Sequence, residues 1–222
     1  MRILRIYVTE WNKEEQIQRY IREKKNSKIE FGQDSTKFYS NFNSNPENVR
    51  FETAVIEFNW FLVDSFVKHA VESSKKVRYL NQEDNDKMTG VEKNSGSVAG
   101  AIHSIIMKWH YNQENWDIFD FVTDLFVRIL MGHFFHNGNK RVSIVFLSTV
   151  LWNLGYYLKW TSDEKYIYER TYENDLKGFI QELESKENAD KNWKIVIGKI
   201  KTWIYRNIVI ALNFRVPSYI IA

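Results

Sequence analysis

The chain has no cysteine, 2 prolines and 9 glycines among its 222 residues, and each scarcity removes a class of protein. Without cysteine there is no disulfide, no thiolate nucleophile and no cysteine-based zinc site. A reducing cytoplasm suits such a chain. So few prolines and glycines leave little to interrupt long helices, and an all-α fold is expected. No stretch approaches the roughly 20 apolar residues of a membrane helix, because the run after Val142 is interrupted by Ser148, Asn153 and Gly155. The opening residues reach Glu10 too soon for a secretory signal.

What the chain does have is apolar and aromatic. Hydrophobic residues are 44% and aromatics 16%, too apolar for a disordered chain and enough for a real core. The length suggests one domain with an extension. A net charge of +3 fits an ordinary solvated surface, or ATP or an acidic partner, and does not demand nucleic acid.

Residues 3 to 8 alternate weakly and predict a short strand, followed by a charged helix from Asn12 to Lys25. The polar stretch Gly32 to Pro46 is expected to be a linker or loop, so the domain boundary is placed there: an N-terminal extension over 1–45 and a helical domain over 46–222. From Val49 to Val71 the positions Phe51, Val55, Phe58, Leu62, Phe66 and Ala70 predict a long amphipathic helix. Lys75 to Gly96 is polar and predicts an exposed loop or hairpin. Helical spacing resumes over Val98–Tyr111 and Trp116–Met131, with Gly132 helping to end the second helix. After Gly155, Tyr-Tyr-Leu-Lys-Trp suggests a short extended piece, and Glu164–Leu183 and Lys191–Val209 two further helices. Lys191, Lys194, Lys199, Lys201 and Arg206 form a basic side on the last helix, read as solvated rather than nucleic-acid binding.

The densest chemistry lies at residues 133 to 141, His-Phe-Phe-His-Asn-Gly-Asn-Lys-Arg. The apolar run from Val142 begins at once, so Asn139, Lys140 and Arg141 should form the first turn of a buried helix. A helix start has unpaired N–H groups and the positive end of the dipole, which suits a phosphate. Lys140 and Arg141 add full charges at an end where carboxylates are preferred, a misfit that a bound anion would explain. His133 is the candidate general base, since imidazole can take a proton from a hydroxyl near neutral pH. Asn139 should cap the helix or hydrogen-bond a phosphate oxygen, Lys140 offers a point charge, Arg141 a bidentate fork, and Gly138 permits the tight turn. His69, His103, His110 and His136 have no comparable company, and no pair of histidines has the i, i+4 spacing of a helical zinc site.

The segment resembles the core motif of the Fic/Doc family, and more closely its Doc (death-on-curing) branch, through His133, Phe135, Asn139, Lys140 and Arg141. The second motif arginine of typical AMP-transferring Fic enzymes is here Ile144. The resemblance spans about Val49 to Val209, with Gly90-Val91 and Gly96–Ile102 at the place of the family's flap and the helix after it. It implies a helical bundle with a short β flap that aligns a target segment by strand addition. It also implies a cytoplasmic enzyme using ATP and Mg2+ to modify a hydroxyl on another protein. Phosphoryl transfer, as by a toxin acting on translation, comes first; AMP transfer or a catalytically silent interaction protein are the alternatives. A third alternative is a basic helical nucleic-acid binder. By the same resemblance Arg141 would hold the phosphate chain, Lys140 the transferred group, and Phe135 would anchor the loop in the core. Asn137 stands where many members have a magnesium-binding acid, and an amide oxygen binds a hard cation less well. Thr53 to Glu57 is a partial match to the family's restraining motif. Glu57 is read as structural, with restraint expected from a separate antitoxin.

Overall fold

Apolar residues at every third or fourth position build the helices, and the helices carry the fold. The computed structural model describes residues 2–9, 28–31, 36–39, 47–80, 87–112, 116–158, 171–184 and 189–210. Among these residues the helices are α1 (Trp60–Leu80), α2 (Ser97–Tyr111), α3 (Ile118–Met131), α4 (Asn139–Asn153), α5 (Thr171–Glu184) and α6 (Ala189–Asn207). The expected all-α class holds for this body, to which short strands are added.

The centre is α3. Ile118, Phe119, Phe121, Val122, Leu125, Phe126, Ile129 and Leu130 are buried around nearly its whole circumference, the mark of a helix enclosed by others. It packs on α2, α4 and α6. Phe121 meets Phe58 edge-on at 4.9 Å, and Phe66 of α1 meets Phe146 of α4 edge-on at 6.5 Å, the geometry that ring quadrupoles favour. Each such buried side chain stabilises the fold by roughly 1.5–3 kcal/mol relative to exposure. The start of α3 is fixed by a capping box: Asp117 accepts from Phe119 N and Asp120 N, and Asp120 accepts in return from Asp117 N. After α4, strand β5 (Tyr156–Leu158) pairs antiparallel with β6 (Ile208–Ile210), Tyr156 opposite Ile210. With the strands of the N-terminal part numbered β1 to β4, this small sheet ties the chain after α4 to the end of α6.

The N-terminal part departs from expectation. Strand β1 (Arg2–Val8) is where alternation placed it, but it belongs to a four-stranded sheet of order β1-β4-β3-β2, with β2 (Lys28–Phe31), β3 (Thr36–Tyr39) and β4 (Glu47–Val55). β1 and β4 run parallel, Leu4 opposite Phe51 and Val8 opposite Val55. The other two pairings are antiparallel. The sheet therefore takes strands from both sides of the boundary placed near Pro46.

Four corrections follow. The helix expected from Val49 begins only at Trp60, because Val49, Phe51, Thr53 and Val55 alternate and satisfy their backbone in the ladder; Asn59 Oδ1 then accepts from Leu62 N at 3.1 Å and opens α1. The loop expected over Gly32–Pro46 contains β3, whose Thr36, Phe38 and Tyr39 favour a strand. The loop expected from Lys75 is shorter, since α1 continues through its polar last turns to Leu80. The last helix also yields its end, Ile208 and Val209, to β6. The helix expected over Asn12–Lys25 and the start of the one expected from Glu164 lie outside the described residues. Val8 is fully buried, Ile56 N donates to Val8 O at 2.9 Å and Thr9 Oγ1 to Trp116 O at 2.8 Å, so the end of β1 is built into the helical body. Among the described residues no helix is long and apolar enough to cross a membrane.

Candidate functional site

The motif forms the connection between α3 and α4. Gly132 ends α3 by donating its N–H to Arg128 O at 3.1 Å. The Phe134 ring lies so close over it that a Cβ would overlap the ring. His133 has φ +47°, the left-handed region that non-glycine residues seldom adopt and that often marks a functional position. Its side chain is exposed, with Nε2 3.8 Å from Glu184 Oε1 at the end of α5. Phe135 is buried in the core.

Asn139, first residue of α4, turns back over the loop: its Oδ1 accepts from Phe135 N at 2.9 Å and its Nδ2 donates to Phe135 O at 2.8 Å. The expected cap is therefore elsewhere. Gly138 holds the N-cap position with φ +79° and offers no side-chain cap, and the first turn of α4 contains no acid. The helix thus presents N–H groups and the dipole's positive end without an internal counter-charge. Lys140 is half-buried and Arg141 exposed in this turn. Among the described residues the Lys140 ammonium has no hydrogen bond or ion pair.

The expected flap is folded onto the motif. His136 N donates to Val91 O at 2.9 Å, Lys93 N to Phe134 O at 2.8 Å and Gly90 N to Asn137 O at 3.0 Å, with bridges Thr89↔Asn137 and Glu92↔Phe135. Two glycines permit this approach. At Gly90 a Cβ would lie 2.6 Å from Ser74 O of α1, and at Gly138 2.9 Å from the Thr89 methyl. Arg78 Nη2 donates to Gly90 O at 3.2 Å. Glu92 caps the neighbouring helix, accepting from Ser97 Oγ and Val98 N, both at 2.8 Å. Residues 89–93 of this loop are therefore hydrogen-bonded along the motif, with Thr89 buried against it, while Lys87, Met88 and 93–96 are exposed as expected of a loop.

The remaining predicted positions divide. Asn137 is exposed and its Oδ1 accepts from Gly138 N at 2.7 Å, which turns the oxygen back on its own loop. Among the described residues no three His, Asp or Glu side chains converge as a metal site. Ile144 is buried. Glu57 stands between β4 and α1, not on a helix, and its Oε2 accepts from Asn59 at 3.3 Å. The other histidines serve locally: His110 Nδ1–H donates to Phe58 O at 2.7 Å and His103 stacks on Trp60 at 4.7 Å. Burial lowers the pKa of His69 against the opposing pull of Glu72.

Sequence reasoning missed a polar cluster at the base of α3. Lys201 Nζ lies 2.9 Å from Asp117 Oδ2 and 2.7 Å from Asp120 Oδ1, and Tyr205 OH donates to Asp117 Oδ2 at 3.0 Å. Burial, with the Asp117 carboxylate beside it, raises the pKa of Asp120 against the pull of Lys201. Lys199 pairs with Glu182 at 2.6 Å. The basic side expected on the last helix is thus broken, with Lys201 internal and Lys199 matched. The Asp-x-x-Asp spacing before an apolar run was a legible capping signal. Nothing local pointed to Glu184, which is 51 positions from His133. Compared with family models, curated proteins and solved structures, the chain has no match.

Proposed function

We propose that this protein is a Doc-like transferase that moves the γ-phosphoryl group of ATP to a hydroxyl side chain of a target protein. The observation that carries the reading is the motif loop itself. His133, held at positive φ, stands at one end of the loop, and the uncapped, acid-free start of α4 with Lys140 and Arg141 stands at the other. A phosphate group fits the second end, where N–H groups, a helix dipole and two cations meet. His133 would take the proton of the attacking hydroxyl as the new O–P bond forms. The bond from Pγ to the bridging oxygen breaks and ADP leaves with that electron pair. Magnesium would enter with the nucleotide as part of the substrate; the reading does not place it on Asn137.

Phosphoryl transfer is preferred over AMP transfer because the second motif position is the buried Ile144, which puts no further guanidinium along the phosphate chain. The same reading expects a protein substrate, of the kind found in translation, and an antitoxin as restraint. The pairing of Lys199 and Lys201 with carboxylates removes charge that a nucleic-acid surface would need. The test is incubation of wild type and His133→Ala with magnesium, host-like extract and ATP labelled at the γ- or the α-phosphate. Label from γ alone, lost in the variant, is the expected result. Label from α would make the protein an AMP-transferase, and silence from both labels would refute the enzyme reading.

A further inference from the structure

We propose a second binding site in this protein, a groove on the outer face of α4 that takes an organic carboxylate with an apolar body. The groove holds about 710 Å³ between the end of α1, α4 and β5, a volume in the usual range of small-ligand sites. It is separate from the motif. Ser74 and Arg78, which meet Gly90 of the flap, stand on the other flank of α1 from Lys76 and Tyr79, which line the groove.

The floor of the groove is unusual for a surface helix. Between Val142 and Asn153, α4 has no charged residue, although a helix facing water ordinarily has a polar, charged outer side. Its inward positions, among them Phe146, Leu147 and Val150, are buried in the core. Val145 and Trp152 stand on the opposite side, only half-buried, and open into the groove. Ser148 and Thr149, between them, give their hydroxyl protons to Ile144 O and Val145 O of the same helix, both at 2.9 Å. Neither hydroxyl therefore donates into the groove. Trp152 meets Tyr157 of β5 edge-on at 6.2 Å, and with Leu158 these rings form an apolar wall.

The α1 side is cationic. Lys75 and Lys76 both line it and are exposed, and among the described residues neither ammonium has a hydrogen bond or ion pair. Among the described residues no acid lines the groove. A ligand that suits both sides has one anionic end and an apolar body. An uncharged apolar filler would leave both ammonium groups unmatched, and a polar polyanion would leave Val145, Trp152 and Leu158 without apolar contact. The lining has no arginine fork and no helix start, the features that hold phosphates, so the fitting head is a carboxylate.

The test is calorimetric titration of the full chain with decanoate below its aggregation concentration, with decanol as the uncharged body and acetate as the head alone. Decanoate should bind saturably at one site with Kd on the order of 10–100 µM, as expected of a ligand of this size. Decanol should bind about tenfold more weakly, the weight of two exposed ion pairs, and acetate not at all. Lys75→Gln with Lys76→Gln, on the exposed side of α1, should weaken decanoate about tenfold and leave decanol unchanged. Ser148→Trp, which fills the groove from its floor, should abolish binding of both. No saturable decanoate binding, or binding indifferent to the lysine pair or to Ser148→Trp, would overturn the proposal. So would sedimentation showing a wild-type dimer that Ser148→Trp separates, since a second copy of the chain would then occupy the groove.

Discussion

Replacing Lys201 with Met tests how the helical body is held together beneath the site. In the folded protein its ammonium bridges Asp117 and Asp120, and the side chains of the three residues are only 17%, 7% and 19% exposed. Removing one partner of a fully buried ion pair costs about 3–5 kcal/mol. Here some solvent reaches the cluster, and Asp117 keeps two helix N–H donors and the Tyr205 hydroxyl. A loss of about 2–3 kcal/mol at pH 7 follows, which for a chain of this size lowers Tm by roughly 5–10 °C. The pH dependence has a definite sign. Asp120 has a raised pKa in the folded protein, so the folded state keeps its proton to higher pH than the unfolded chain, whose value is near 3.8. Stability contributed by that carboxyl therefore falls as pH rises through the window between 3.8 and the raised value. Lys201→Met removes the cation that restrains the rise and extends the window upward. The deficit should be largest near neutrality and shrink as pH falls towards 4. Urea unfolding followed by tryptophan fluorescence at pH 7 and about pH 4.5 measures both effects, and Asp120→Asn added to Lys201→Met should recover about half of the loss. A deficit under about 1 kcal/mol at pH 7, or one equal at both pH values, would refute the reasoning.

Two further predictions concern the loop. Gly138→Ala should destabilise by about 2 kcal/mol, since the residue must keep φ +79° and its methyl meets Thr89 Cγ2 at 2.9 Å; Thr89→Ser in the same chain should return part of that loss in urea titrations, and no recovery would place the whole effect in the backbone. Asn139→Ala should cost about 1–2 kcal/mol through the two lost bonds to Phe135, and hydrogen exchange should speed up first at the Phe135 amide. Unchanged protection there would show that the clasp does not hold the loop.

The sequence determined the helical class, α2 and α3 nearly to their ends, the placement of the motif in a loop between two buried helices, and the start of α4 at Asn139. These follow from local causes: apolar periodicity, scarce proline, and glycines where the backbone must turn. It could not separate strand from helix over Val49–Val55, because Phe51, Val55 and Phe58 satisfy helical spacing while Val49, Phe51, Thr53 and Val55 satisfy strand spacing. The parallel partner β1, 47 positions away in register, decided between them. Three site features were likewise tertiary decisions. Asn139 is drawn from phosphate-facing cap to loop clasp by the buried Phe135 backbone, whose polar groups need partners. Residues 89–93 lie along the motif because Gly90 and Gly138 let two backbones approach within hydrogen-bonding distance. Glu184 and Lys201 acquire their partners only when α5 and α6 fold back on α3, since charges so far apart along the chain interact only where packing brings them within a few ångströms.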